Sequence, residues 1–168
     1  ELLEYCLFDA EKMKQWIGSC NNFLKVIQSP VIKKLLLNTN EKTIAYFFWG
    51  RGTAEIIPVI NNSNVSSVIR LHGYDLYLER YKTRYIPFHS KVIDSCNKVL
   101  FVSQQGLEYT KRLYPSLSQK LIYAPLGSSD CGMARMSEDG ILRIISCSSL
   151  IDLKRVSLLA SALTRGFN

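Results

Sequence analysis

The sequence predicts an α/β fold on a parallel sheet, and three observations carry that prediction. Short β-branched and aromatic runs recur at residues 43–49 (TIAYFFW), 66–71, 98–102 (KVLFV), 121–123 and 141–146 (ILRIIS). Segments with apolar residues at helical spacing separate them. The runs stop at polar or glycine-bearing turns: Gly50-Arg51-Gly52, His72-Gly73, Ser103 and Pro125-Leu126-Gly127. Strand, polar turn, helix is the repeating unit of a parallel sheet covered on both faces. In such sheets ligands bind beyond the carboxyl ends of the strands.

Taken in order, Leu3, Leu7, Trp16, Ile17, Phe23, Leu24, Ile27, Leu35 and Leu36 place residues 1–37 in helix. Pro30 restricts Ser29 and divides that region in two. Residues 43–49 are β-branched and aromatic, hence strand. A helical segment follows to about Ile60, then the turn cluster Asn61-Asn62-Ser63-Asn64. Val68, Ile69 and Leu71 mark an interior strand. Residues 76–91 are polar, basic and aromatic with Pro87 inside, which predicts irregular structure or short helices. Residues 91–96 read as helix and 98–102 as strand. Ser103 is placed to N-cap a helix over 104–114, and Pro115 marks its end. Residues 121–123 are a further strand. Residues 128–140 lack periodicity and read as a linker. Residues 141–146 are expected as a strand and 152–163 as a helix with Val156, Leu159, Ala160 and Leu163 on one face.

Hydrophobic residues make up 47% of the 168 positions, enough for a packed core. No apolar run approaches the roughly 18 residues that span a bilayer, and no signal peptide is legible at the start. The expectation is a soluble or peripheral protein. The cysteine count is five, an odd number, with no CxxC pair. That pattern argues for reduced thiols in a cytoplasmic protein rather than a zinc ribbon or disulfide framework. The net charge of +7 favours an anionic partner. Tyr77, Arg80, Tyr81, Lys82, Arg84 and Tyr85 interleave aromatic and basic side chains, a pattern able to stack bases. It is more often an amphipathic loop over a core, and no nucleic-acid partner is expected. There is no DxD, no metal-ligand spacing and no glycine-rich phosphate loop, so neither a metal nor another cofactor is expected.

The most informative stretch is Val68-Ile69-Arg70-Leu71-His72-Gly73-Tyr74-Asp75. Gly73 permits a sharp turn or a close approach. His72 stands at the strand's carboxyl end, either as a hydrogen-bonding cap or as a ligand-facing group. Asp75 either N-caps the next short helix or joins the site. Arg70 either pairs with an acid or reaches the cleft.

Four stretches in order, VIRLHGYD at 68–75, KVLFVSQQGLEYTKRLYP at 98–115, KLIYAPLG at 120–127 and RIISCSSLIDLKRVSLLASAL at 143–163, resemble the family-four (group 1) retaining glycosyltransferases of the GT-B fold. The resemblance covers about residues 43–165. It implies a Rossmann-like, incomplete acceptor domain over 1–128, a linker over 129–140, and the first strand and helix of a nucleotide-sugar-binding domain over 141–168. It further implies transfer of a sugar, with retention, from a nucleotide-sugar donor to a glycan or lipid-linked acceptor. His72 matches the family histidine beside the transferred sugar. Arg70, Gly73, Asp75, Ser103 and Gly127 become candidate substrate-binding residues. Lys154, with Ser149, becomes the candidate contact to the donor diphosphate, where a lysine point charge suits adjacent phosphates. The bland alternative for Lys154 is a solvated lysine at a helix start. Ser149 stands where the family usually has arginine. The family's amino-terminal glycine-rich loop and the paired glutamates of its donor domain are absent, so the chain is expected to be an internal fragment. The rival expectation is a non-catalytic α/β module binding an anionic ligand or nucleic acid. A cytoplasmic location is expected, with peripheral contact to anionic lipid at the inner face of the membrane.

Overall fold

The computed structural model describes residues 8–130, 132–133, 138–141 and 143–165. Leu3, Leu7, Cys6, Cys131 and Leu142 lie outside the described residues. The chain divides into two compact units, Glu1–Gly127 and Ser128–Asn168.

In the first unit, helix α1 (Ala10–Gln28) begins where the Asp9 carboxylate accepts the backbone N–H groups of Glu11 and Lys12, at 3.1 and 3.0 Å. This satisfies donors that have no partner within the helix. The helix stops at Ser29, and Pro30 opens α2 (Pro30–Ile32), where its missing N–H costs nothing. One π-type turn, Lys33–Leu37, completes the segment. Strand β1 (Thr43–Phe47) leads to a 3-10 helix, Gly52–Val59. Pro58 inside it supplies no N–H and disfavours the α conformation at the residue before it, so the expected helix is the tighter, shorter kind. Strand β2 (Val65–Leu71), α3 (His89–Ser95), β3 (Lys98–Phe101), α4 (Gln104–Leu113) and β4 (Leu121–Tyr123) follow. Between β2 and α3 the chain is irregular apart from a single 3-10 turn, Leu78–Arg80.

The four strands are parallel and lie in the order β1-β2-β3-β4. Burial alternates along β1, β2 and β3, while β4 buries only Leu121. Ala45, Phe47, Val65, Ser67, Ile69, Leu71, Val99, Phe101 and Leu121 point into the core. They meet Ile56, Ile57, Leu76, Val92, Ile93 and Leu107 from the connecting segments. The other face carries Ile44 and Ile122, both exposed, with Tyr46, Val68, Arg70 and Leu100. The expectation of a sheet covered on both faces is therefore corrected: among the described residues one face is covered. Sequential strand order explains this. Right-handed crossovers that all step in the same direction deliver every connection to the same face.

The second unit contains a 3-10 turn, Asp152–Lys154, and helix α5 (Val156–Arg165). The strand expected over 141–146 does not form among the described residues, and Ile141, Ile144 and Ile145 are exposed. A strand is held by ladder hydrogen bonds to a neighbour, and no described residue pairs with this run. None of the described residues of this unit is buried.

Candidate functional site

The carboxyl ends of β1 and β2 lie side by side because Phe47 pairs with Ile69. The chain turns just beyond each, at Trp49-Gly50 and at His72-Gly73. Asp75, with no exposed surface, ties the two turns together. One carboxylate oxygen accepts the Gly50 N–H and the other accepts the His72 N–H, both at 2.7 Å. Asp75 thus caps no helix. A Cβ at position 50 would overlap the Leu71 side chain, so only glycine lets the first turn come this close.

The His72 side chain is 12% exposed. Its ring lies against Trp49, with centroids 4.2 Å apart at 41°, and against Phe48, at 4.8 Å and 43°. Nδ1 is 4.0 Å from the Asp75 carboxylate, too far for a hydrogen bond. Both ring nitrogens are buried and have no hydrogen-bond partner among the described residues. Burial pushes the imidazole below its ordinary pKa and the Arg70 charge adds to this, while the Asp75 charge and a backbone polar contact at Arg70, outside normal hydrogen-bond geometry, oppose it. A buried unpaired donor costs about 1–3 kcal/mol, and native structures keep few of them.

Beside these turns is a cavity of about 530 Å³. Helix α1 contributes Gln15, Ser19 and Asn22. The first turn contributes Trp49 and Arg51, the 3-10 helix contributes Glu55, and the second turn contributes Tyr74 and Asp75. His72 does not line it; Trp49 stands between. Glu55 is buried and accepts from the Ser19 hydroxyl at 3.1 Å and from the Asn22 amide at 3.5 Å. Burial raises its pKa; the Ser19, Gly52 and Asn22 hydrogen bonds and the Arg51 charge oppose the rise. Arg51 donates to the Tyr81 hydroxyl at 2.8 Å, and its guanidinium lies 5.6 and 5.4 Å from the Tyr74 and Tyr81 ring centres. Tyr81 in turn donates to the Tyr74 carbonyl at 2.7 Å. Burial first and the Tyr74 side chain second push its phenol up to about 12, against the Arg51 charge.

The other sequence-predicted residues fall in different places. Arg70 neither pairs with an acid nor reaches the cavity. It lies on the open face, donating through Nε to the Tyr46 hydroxyl at 2.7 Å and through Nη1 to the Ala124 carbonyl at 2.6 Å. Gly73 lies under the Arg80 guanidinium, which a Cβ would meet at 2.5 Å. Ser103 caps α4, accepting the Gly106 N–H at 3.1 Å. Gly127 follows β4 in open space. Ser149 and Lys154 are exposed residues of the second unit, and the Ser149 carbonyl accepts the Ile151 N–H at 2.9 Å. The structure thus brings His72, Gly73 and Asp75 together and leaves Arg70, Ser103 and Gly127 at separate stations along the sheet.

Trp49, Arg51, Glu55 and the α1 residues were not singled out from sequence. Glu55 carried a signal: it is the only acid in the apolar run Ala54-Glu55-Ile56-Ile57. The aromatic and basic residues of 74–85 largely engage one another. Arg80 lies 5.3 Å from the centre of the Tyr77 ring, and Tyr77 packs on Tyr109. Cys96 and Cys147 are free thiols. Burial pushes Cys96 up to about 11, which makes it unreactive. Among the described residues no cluster of three or more His, Cys, Asp or Glu could hold a metal ion, and no helix is long and apolar enough to cross a membrane. No protein-family model, curated protein or solved structure matches this chain.

Proposed function

We propose that this chain is part of a retaining glycosyltransferase that moves a sugar from a nucleotide-sugar to a glycan or lipid-linked acceptor. The supporting observation is His72. It sits at the carboxyl edge of a parallel sheet with both ring nitrogens unpaired, one aromatic ring away from a ligand-sized cavity. In this reading the cavity of the first unit receives the acceptor, and His72 hydrogen-bonds to the sugar as it is transferred. The depressed pKa keeps the imidazole neutral at pH 7, able to donate from one nitrogen and accept at the other. Lys154 and Ser149 belong to the donor side and meet the diphosphate. The protein works in the cytoplasm, and its basic α1–α2 region, including Lys25, Lys33 and Lys34, approaches anionic lipid.

The chain carries only the opening of the donor half, so it does not transfer sugar by itself. Two measurements test this. Titration calorimetry of the 168-residue chain with a panel of nucleotide-sugars shows no binding; tight, saturable binding moves the donor site into the first unit. In the enzyme with a complete donor domain, His72→Ala lowers turnover far more than it lowers thermal stability. Equal losses of both assign His72 a structural role. Co-sedimentation with vesicles addresses the membrane contact: binding favours anionic over neutral lipid and weakens with salt, because exposed charges are screened over about 8 Å at physiological ionic strength.

A further inference from the structure

His72 does not line the cavity, and the two rings packed against it, Trp49 and Phe48, are themselves partly exposed. Trp49 is 48% exposed and Phe48 is 45% exposed, so each is packed on one side and free on the other. The two rings meet edge to face, with centroids 5.5 Å apart. Behind them the imidazole is fixed: its backbone N–H is held by Asp75, and its ring nitrogens face no partner. Trp49 also lines the cavity, while His72 does not. Displacing the indole from the imidazole therefore joins His72 to the cavity.

The charged groups of the wall are already engaged. Arg51 is taken up by Tyr74 and Tyr81, Glu55 by Ser19 and Asn22, and Asp75 by two backbone N–H groups. The wall sets one cation, Arg51, against the carboxyl groups of Glu55 and Asp75, so it offers an anionic ligand no excess of positive charge. A hydroxyl both donates and accepts, which suits the carboxylate and amide groups of the wall and a neutral imidazole alike. The Trp49 and Tyr74 rings offer apolar faces to the C–H surface of a ring-shaped ligand.

We propose that Trp49 is a gate that shuts His72 in the empty protein, and that a neutral polyhydroxylated ring entering the cavity takes its place against the imidazole. The ligand class rests on the acceptor-site reading above; the gate does not.

Diethyl pyrocarbonate, which acylates accessible neutral imidazole nitrogens, tests the gate in the 168-residue chain. The sequence has two histidines, and the deeply buried His89 serves as an internal control. Peptide mass spectrometry then shows His72 reacting far more slowly in the folded protein than in the denatured chain. A closed state of this kind leaves the open form below about 10% of the population, so Trp49→Ala raises the His72 rate at least about tenfold. His89 stays slow. A wild-type His72 as reactive as in denatured protein overturns the proposal, and so does a Trp49→Ala rate equal to wild type. Should His89 also accelerate, the variant has lost its fold, and Trp49→Leu with the wild-type rate decides.

The ligand class is read from Trp49 emission in a Trp16→Phe background, where it is the single tryptophan. Neutral methyl hexosides shift the emission saturably and the matching hexuronates do not. No shift with any neutral hexoside overturns the class, as does a response to hexuronates alone. Gating and hexoside binding that persist without sugar transfer by the completed enzyme defeat the transferase reading only. Transfer without gating defeats this inference only.

Discussion

Val68-Ile69-Arg70-Leu71 and Ile141-Leu142-Arg143-Ile144 carry nearly the same pattern, an apolar run with arginine third. The first run lies in β2, paired on both sides, with Ile69 fully buried. The second forms no strand among its described residues, and the adjacent Ile145 is 91% exposed. Their arginines differ likewise. Arg70 spans the sheet from the Tyr46 hydroxyl to the Ala124 carbonyl, whereas Arg143 pairs locally with Asp139 on the surface. A β-branched run has no stable ladder of its own. It becomes a strand when neighbours accept its backbone groups and a helix layer covers its apolar face. α5 teaches the same lesson: it is helical, yet Leu158, Leu159 and Leu163 are all exposed.

The contrast breaks most readily at the core. Ile69→Ala removes a side chain with no exposed surface and is expected to cost about 2–5 kcal/mol. Ile145→Ala is expected to stay within about 0.5 kcal/mol. Urea melts of the two variants measure this, and similar losses would mean that residue 145 belongs to a core after all.

The acidic residues offer the next comparison. Asp75→Ala leaves two buried backbone N–H groups without their acceptor, for a loss on the order of 3 kcal/mol. Asp139→Ala, which disrupts the exposed pair with Arg143, should leave the melting curve unchanged.

Acid sensitivity sharpens the contrast, because both histidines lie in the first unit. His89 is buried, and its pKa falls from 6.5 to about 4, through burial first and the Arg51 charge second. Between these values the unfolded chain holds the extra proton, so stability is full above 6.5 and is lost as pH falls toward 4. The loss is on the order of 3 kcal/mol. The depressed pKa of His72 acts in the same direction. The raised pKa of Glu55 acts in the opposite one, since its folded form takes up a proton more readily. Stability curves across this range should flatten in His89→Gln; an unchanged slope assigns the acid sensitivity elsewhere.

The smallest expected effect is at the α4 cap. Ser103→Ala should cost about 1 kcal/mol, the usual loss when an N-cap oxygen is removed, and a thermal melt detects it.

The sequence by itself determined the alternation of strand and helix, the break at Pro30, the cap at Ser103 and the position of His72 at a strand end. These are local matters. Proline geometry, a serine oxygen three residues from its N–H, and the β-branched character of 65–71 act within a few residues of where they are written. The tertiary structure alone decided which face of the sheet is covered, because that depends on the order in which strands pair. It decided that the described residues of 141–146 form no strand, because a ladder needs a second chain segment. It also decided that Asp75 joins two turns, since Gly50 is 25 residues away in sequence. Trp49 and Glu55 meet the site for the same reason. Their partners, His72 just beyond β2 and Ser19 on α1, come within reach only after parallel pairing and helix packing have closed the distance between remote parts of the chain.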